Sequence, residues 1–306
     1  MQKPLVTIVV LTYYKFDGIK QNLESIAKQK YPNIEVIIQD DGSANFDRDY
    51  LENLCKTTLG DFKWLVHQNE KNMGTVRSFN TAIELANGEF VFPLSQDDRF
   101  YDENVVEKIV EFFQKNPDCM TCTSNRVGEK SGRVYPTEVD AKLLASWDRK
   151  ELWNRTLYEN FISGATIYYR VDFMKARGGF DTDSLLVEDY PFVLAMILED
   201  KRIGFLDETT IIYGEDGVSN GSTPSPKMLA DRMVMYEKYI VPNMDKIESK
   251  WMKRYVKYQY GDIRHRQDLP KRILHNLWSW KVVLRLLYGM HVKKLNYEER
   301  YQLWKK

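Results

Sequence analysis

Asp97 and Asp98 follow an apolar run with no basic residue ahead of them, so the local sequence leaves their mutual repulsion uncompensated. A divalent cation would compensate it. Mg²⁺ or Mn²⁺ takes one or two carboxylates together with phosphate oxygens, which leaves the diphosphate of a nucleotide to complete the shell. The plainer reading is an aspartate capping the helix that follows. A second acidic segment, Asp40-Asp41-Gly42-Ser43, offers a carboxylate able to accept from a ring N–H and from ribose hydroxyls, with Gly42 permitting close approach of the backbone. Taken alone it is equally a β-turn. Tyr14 supplies a ring that can stack on a base.

The elements that must position these groups read as alternating strands and helices. Residues 5–12 form a continuous β-branched run, the mark of a strand buried on both faces of a parallel sheet. A helix over 18–28, a strand over 34–38, a helix over 50–57, a strand over 64–66, a helix over 75–86 and a strand over 89–94 follow. This alternation predicts βαβ units and a mostly parallel, Rossmann-like sheet flanked by helices. Ligands then sit beyond the carboxyl ends of the strands, where Thr12-Tyr13-Tyr14, Asp40 to Ser43 and Ser95 to Asp98 all fall. Further on, the pattern predicts a helix over 104–114, strands over 120–124 and 165–169, and an apolar helix over 189–198. The Gly-, Ser- and Pro-rich stretch 214–226 reads as a loop and domain boundary. We expect a catalytic domain over 1–225, with a nucleotide-binding half (1–100) and an acceptor-binding half (101–225), then a basic helical region over 226–306.

With 306 residues, 43% of them apolar, the chain can build one large core or two smaller ones. Its net charge of zero hides an asymmetry: residues 226–306 carry 19 Lys or Arg against 8 Asp or Glu. Such a tail suits an anionic partner, acidic lipid or nucleic acid, or is simply a solvated helical bundle. Cys55, Cys119 and Cys122 imply no disulfide framework and fit a reducing cytoplasm; with no second cysteine pair, Cys119 and Cys122 make a poor redox or zinc motif. The four His, at 67, 265, 275 and 291, form no metal spacing. No stretch of about 18 uncharged apolar residues is present, so no membrane span is expected.

The runs VTIVVLTYY, QDDGS, NEKNMGTVRSFNTAI, NGEFVFPLSQDD and GGFD…VEDYPFVLAM together resemble the large inverting family 2 of GT-A glycosyltransferases, in order and spacing over about residues 4–220. The resemblance implies a GT-A fold with a C-terminal helical extension, and transfer of a sugar from a nucleotide sugar, commonly a UDP-sugar. It places Thr12 and Tyr14 at the nucleotide, with Tyr14 over the base and Asp41 at the base edge. Arg77 approaches the nucleotide from a loop shaped by Asn72 and Gly74. Asp98 is implied as the direct ligand of Mn²⁺ or Mg²⁺, and Asp97 as a ribose or water-mediated contact. Ser95 stands where many members carry a further Asp, and no Arg and His stand in the loop after the last strand, where Asp216 is a candidate oxygen ligand. Asp189 is implied as the base that takes the proton from the attacking hydroxyl, with Glu188 orienting acceptor or base, and Ser163 and Gly164 as the wall of the acceptor pocket. Two carboxylates at a helix start are also explained by the helix dipole alone.

The implied partners are a nucleotide-sugar donor and a saccharide or lipid-linked acceptor in bacterial surface glycan assembly, with no nucleic acid. A sugar nucleotidyltransferase shares a similar sheet but needs a Gly-rich, basic loop after the first strand, which residues 12–17 do not form. A catalytically silent nucleotide-binding protein is the third class. Residues 273–290 place apolar side chains at helical intervals beside Trp278, Trp280, Lys281, Arg285 and Tyr288. That suits a lipid headgroup boundary on the inner face of the cell membrane, or an ordinary helix packed on the catalytic body or on a second copy in a homo-oligomer.

Overall fold

The computed structural model describes residues 3–215, 225–296 and 299–302. The chain divides into two compact units, Met1–Trp147 with Ile162–Pro224, and Asp148–Phe161 with Ser225–Lys306.

The first unit opens with β1 (Val6–Thr12), α1 (Ile19–Ala27), β2 (Ile34–Asp40), α2 (Arg48–Thr58), β3 (Lys63–Gln68), α3 (Thr75–Leu85) and β4 (Phe90–Pro93). Strand order β3-β2-β1-β4 is parallel throughout, with Val6 to Thr12 registered on Ile34 to Asp40. β1 and β2 each have a strand on both sides and helices above and below, which is why their sequences are apolar without alternation. Val6, Ile8 and Val10 pack with Leu23 and Ile26 of α1 and with Val36 and Ile38 of β2. Asp47 starts α2 by accepting from the Tyr50 N–H at 2.9 Å.

The sheet continues through β5 (Arg99–Phe100), α4 (Val105–Lys115), β6 (Thr121–Gly128), β7 (Val134–Tyr135) and α5 (Glu138–Ser146). After α6 (Arg149–Tyr158), which belongs to the second unit, come β8 (Tyr168–Arg170), α7 (Val171–Ala176), α8 (Asp189–Leu198) and β9 (Ile203–Tyr213). The full order is β3-β2-β1-β4-β8-β6-β9-β5, with β7 beside β6. β8 runs antiparallel to both β4 and β6, β5 antiparallel to β9, and β6 parallel to β9. The expected mostly parallel α/β sheet with helices and a C-terminal helical region is what forms. Two local departures have plain causes. The strand expected over 165–169 begins only at Tyr168, because Gly164–Thr166 coils into a 3₁₀ turn. The last strand, β9, is longer than its apolar residues indicate, running 11 residues because it continues through Asp207 to Thr210, which interrupt that pattern.

In the second unit, α6 lies with α9 (Pro226–Met235), α10 (Lys250–Arg264), α11 (Leu269–Trp278) and α12 (Trp280–Leu287). Aromatic contacts build its core: the Tyr158 and Tyr255 rings are 5.0 Å apart, and the Tyr255 hydroxyl donates to the Tyr158 carbonyl at 3.1 Å. The tail periodicity reads as one continuous helix, whereas the structure breaks it at Ser279, whose ψ of 14° ends α11 before α12 begins.

Candidate active site

The carboxyl ends of β2, β1 and β4 are neighbours in the sheet, so the loops carrying Asp40 to Ser43, Thr12 to Tyr14 and Ser95 to Asp98 gather at one edge. The Thr12 hydroxyl donates to Asp40 Oδ2 at 3.0 Å. Ser43 adds its N–H to Asp40 Oδ1 at 2.7 Å, and its hydroxyl bridges to Asp40 Oδ2 and the Tyr14 N–H. Thr12 and Asp40 are therefore the seam between the two strand ends. Tyr14 takes a left-handed conformation, φ 58°, that leaves it half-exposed beside Tyr13, with the rings edge to face at 4.6 Å. A protruding aromatic pair at a strand end suits stacking against a planar ligand.

Asp41 is buried, and its two oxygens accept from four groups. Asn69 Nδ2 (3.1 Å), the Met73 N–H (2.7 Å) and the Ser78 hydroxyl (2.7 Å) reach Oδ1, and the Gly74 N–H (2.9 Å) reaches Oδ2. Contact with a base edge would have to displace or share one of these. What Asp41 does in the chain itself is hold the Asn72 to Gly74 loop and the start of α3. Both glycines of this junction are forced by space. A Cβ on Gly42 (φ 74°) would stand 2.4 Å from the Lys71 carbonyl carbon, and one on Gly74 (φ 86°) 2.4 Å from the Leu185 oxygen. The close approach foreseen at Gly42 is thus made by the chain's own 71–72 backbone.

From α3 the strapping passes to the segment that precedes α8. Arg77 donates to the Thr182 carbonyl at 2.7 Å, Asn80 exchanges two hydrogen bonds with the Phe180 backbone, and the Val76 N–H meets the Leu185 carbonyl at 3.2 Å. Arg77 and Asn72 remain at the surface. Asp189 then opens α8, with Oδ2 accepting from the Gly164 N–H at 3.1 Å and Oδ1 from the Tyr190 N–H at 2.6 Å. A Cβ on Gly164 would be 3.0 Å from both Glu188 Oε1 and Asp189 Cβ, so the turn at Ser163 and Gly164 packs directly on the acidic pair. Their negative charge also acts on buried Tyr169, whose hydroxyl pKa is driven far up, first by burial and then by Glu188 and Asp189.

Asp98 is buried, 2% exposed. Its Oδ1 accepts from the Gly214 N–H at 2.9 Å, while Oδ2 is buried with no hydrogen-bond partner among the described residues. Burial pushes its pKa up to about 8; neighbouring Asp97 adds to the rise, and the Gly214 N–H, Arg126 and Arg99 oppose it. The turn is clamped from both sides. Asn22 of α1 donates to the Ser95 and Asp98 carbonyls at 2.8 and 2.9 Å, and a Cβ on Gly214 would meet the Asp97 oxygen at 2.6 Å. A buried carboxylate oxygen lacking a donor fits a divalent cation, which neutralises the charge that burial penalises. No group of three or more His, Cys, Asp or Glu among the described residues can hold a metal, so Asp98, with Asp97 beside it, would leave most of a shell to phosphate and water.

Sequence reading missed three residues here. Asn22 and Gly214 act through contacts 76 and 116 positions away in sequence, which no local pattern reveals. Arg126 projects from β6 with its guanidinium 3.9 Å from the Tyr213 ring centroid and 4.9 Å from that of Tyr135, and brings positive charge to Asp98. Asp216 lies outside the described residues.

The family described as glycosyl transferase family 2 matches residues 7–177. The chain is 24% identical over 294 residues to the putative colanic acid biosynthesis glycosyl transferase WcaA of Escherichia coli, covering 95% of this chain and 96% of that one. It spans only 57%, 46% and 62% of the length of three other similar proteins, one glycosyltransferase from Haemophilus influenzae and two from Bacillus subtilis. Among solved structures, the mannosyltransferase PcManGT of Pyrobaculum calidifontis, in complex with GDP-Man and Mn²⁺, superposes with a TM-score of 0.60 at 17% identity, over 99% of this chain and 83% of that one. TarS of S. aureus (residues 1–349), in complex with UDP-GlcNAc, gives 0.56 at 18% identity, over 85% and 81% of the two chains. At these identities the likeness is one of fold.

Proposed function

We propose a reaction for this chain from one premise: it belongs to glycosyl transferase family 2. The reaction is inverting transfer of a sugar from a nucleoside diphosphate donor, a UDP-sugar in our reading, to an acceptor hydroxyl in bacterial surface polysaccharide assembly. The observation that carries it is Asp98 Oδ2, buried with no hydrogen-bond partner among the described residues, at a sheet edge that also presents Tyr14 and the α3 loop. WcaA's description and the UDP-GlcNAc and GDP-Man in the two solved structures support the reaction class.

Each residue's part follows from its placement. Tyr14 stacks on the base, and Asp41 holds the Asn72 to Gly74 loop so that its backbone faces the nucleotide. Arg77, tied at one nitrogen to the Thr182 carbonyl, keeps other N–H donors for the diphosphate. Asp98, assisted by Asp97, would hold Mn²⁺ or Mg²⁺, which supplies positive charge for the departing diphosphate. Asp189 takes the proton from the acceptor hydroxyl as that oxygen bonds to the anomeric carbon and the bond from this carbon to the diphosphate oxygen breaks. The Gly164 and Tyr190 N–H groups fix the Asp189 carboxylate, and its place at the start of α8 favours the ionised form. Glu188 and the Ser163 to Gly164 turn line the acceptor side.

The test is slow hydrolysis of a panel of UDP- and GDP-sugars with and without Mn²⁺, which needs no knowledge of the acceptor. We expect one UDP-sugar to be consumed in a metal-dependent way. No turnover of any donor, or turnover unchanged by chelator, would remove the corresponding part of the reading.

A further inference from the structure

Helix α11 is mounted with polar side chains inward and apolar side chains outward, and α12 is apolar on both its inward and its outward face. On α11, Arg272 Nε donates to Asp262 Oδ1 of α10 at 2.7 Å. His275 lies parallel to Tyr258 of α10, with an interplanar angle of 8°, and its Nε2 is 3.0 Å from the Tyr258 carbonyl oxygen. Gly261 makes room for this imidazole, since a Cβ there would stand 2.1 Å from His275 Cε1. The helix is thus fitted to α10 through its polar face. Its apolar residues Leu269, Ile273, Leu274, Leu277 and Trp278 share the other face, and no residue of α11 is buried. Leu277 is 63% and Trp278 84% exposed.

The next helix packs inward through Val282, Val283 and Leu286, yet keeps a second apolar face outside. Arg285 sits half-buried with its guanidinium 5.4 Å from the Trp251 ring centroid, beside buried Val282. Trp280, Leu284, Leu287 and Tyr288, at i, i+4, i+7 and i+8, are exposed on one face together with Lys281. A helix that packs only on its own domain puts its apolar stripe inward. α11 does the opposite, and α12 adds exposed Trp280, Leu284 and Leu287 beyond the apolar residues it packs inward, so both helices present large apolar side chains to the outside.

The charge around that surface identifies what covers it. Residues 266–294 carry seven Lys or Arg and a single acidic residue, Asp268. Lys281, Lys293 and Lys294 are exposed. A two-fold contact between copies would set this patch against itself, positive on positive, and the centres of protein interfaces are poor in Lys. An anionic bilayer offers both complements, acyl chains for Leu and Trp and phosphates for Lys. No described helix is long and apolar enough to cross a membrane, so the fitting geometry is a pair of helices lying in the interface plane.

We propose that the outward face of α11 and α12 docks this protein on an anionic lipid bilayer, with Leu274, Leu277, Trp278, Trp280 and Leu284 entering the headgroup boundary and Lys281, Lys293 and Lys294 meeting lipid phosphates. This surface stands independently of the transfer reaction.

The experiment is sedimentation of the full chain with vesicles of phosphatidylcholine alone or containing about 30% phosphatidylglycerol. Partitioning at least tenfold stronger onto the anionic vesicles, weakening with added salt, is the expected result. The double variant Leu274→Glu/Leu284→Glu changes only exposed side chains, so its circular dichroism and unfolding midpoint stay at wild type while vesicle binding drops at least tenfold. Brominated acyl chains should quench wild-type tryptophan fluorescence and do so far less in Trp278→Ala/Trp280→Ala. Equal vesicle binding by wild type and the Glu variant overturns the proposal, as does failure of the wild type to bind. A wild-type dimer in light scattering that the Glu substitutions dissolve also overturns it, in favour of a second copy.

Discussion

The Asp41 carboxylate and the Gly74 N–H, 33 positions apart, are joined by a 2.9 Å hydrogen bond that ties the end of β2 to the start of α3. Because Asp41 also accepts from Asn69, Met73 and Ser78, its charge offsets the burial of several donors at once. Asp41→Asn keeps the shape but turns one oxygen into a donor facing N–H groups. We expect a loss of about 2–3 kcal/mol in urea unfolding, the range for breaking a charged buried hydrogen bond. UDP affinity should weaken as the loop loosens. A variant as stable as wild type would show that Asp41 is not the strap described here.

Gly74→Ala tests the same junction without touching charge. The new Cβ meets the Leu185 backbone oxygen at 2.4 Å, and φ is 86°. Both the left-handed conformation and the clash oppose alanine, so the unfolding midpoint should fall further than for Gly60→Ala, where φ is 60° and nothing lies within 4 Å. Equal midpoints for the two variants would contradict this packing.

Asp98 gives a pH dependence whose sign is fixed by its environment. Burial raises its folded pKa from 3.8 to about 8, so the native chain holds a proton that the unfolded chain has released. That contribution to stability is complete below pH 3.8 and is lost as pH rises to about 8. In chelator, wild-type stability should therefore decline from about pH 6 to pH 8 more steeply than that of Asp98→Asn. Parallel curves for the two proteins would remove Asp98 as the source.

What the sequence discloses and what it hides divide along contact range. β1, β2, β4 and α8 are legible because a strand between two strands, or a helix buried all round, must be apolar along its length, and this shows in any short window. The strand-end acids are legible too, since sheet order brings Asp40 and Asp98 to one edge once the alternation is seen. Saturation of Asp41 by backbone N–H groups is not legible, because those donors are the same in every residue type. Nor is the orientation of α11: its periodicity predicts a helix with two faces, but the inward face is chosen by Gly261, Asp262 and Tyr258 of α10.

The three cysteines are buried and free, and burial pushes the Cys55 thiol up to about 12 and Cys122 well above its ordinary value. Only the thiolate attacks a disulfide reagent, so a raised pKa and lack of access act together. At about pH 8 the folded chain should react with an aromatic disulfide at least tenfold more slowly than the chain in denaturant, where all three thiols titrate. Rapid reaction of even one thiol in the native protein would mean that α2, β6 or the turn before β6 opens.

Asp189→Asn isolates the proposed proton transfer. The amide can still accept from the Gly164 N–H through its oxygen but then turns its NH2 toward the Tyr190 N–H, so the turn against α8 should persist with a modest loss of stability. It cannot take a proton from an acceptor hydroxyl near neutral pH, and loss of a positioned base costs about 10²- to 10⁴-fold in rate. Transfer to the acceptor should drop by that factor, while UDP binding by calorimetry stays within about twofold, because Tyr14, Arg77 and Asp98 are untouched. Binding and rate falling together would indicate that Asp189 supports the nucleotide site instead, and unchanged transfer would show that another group accepts the proton.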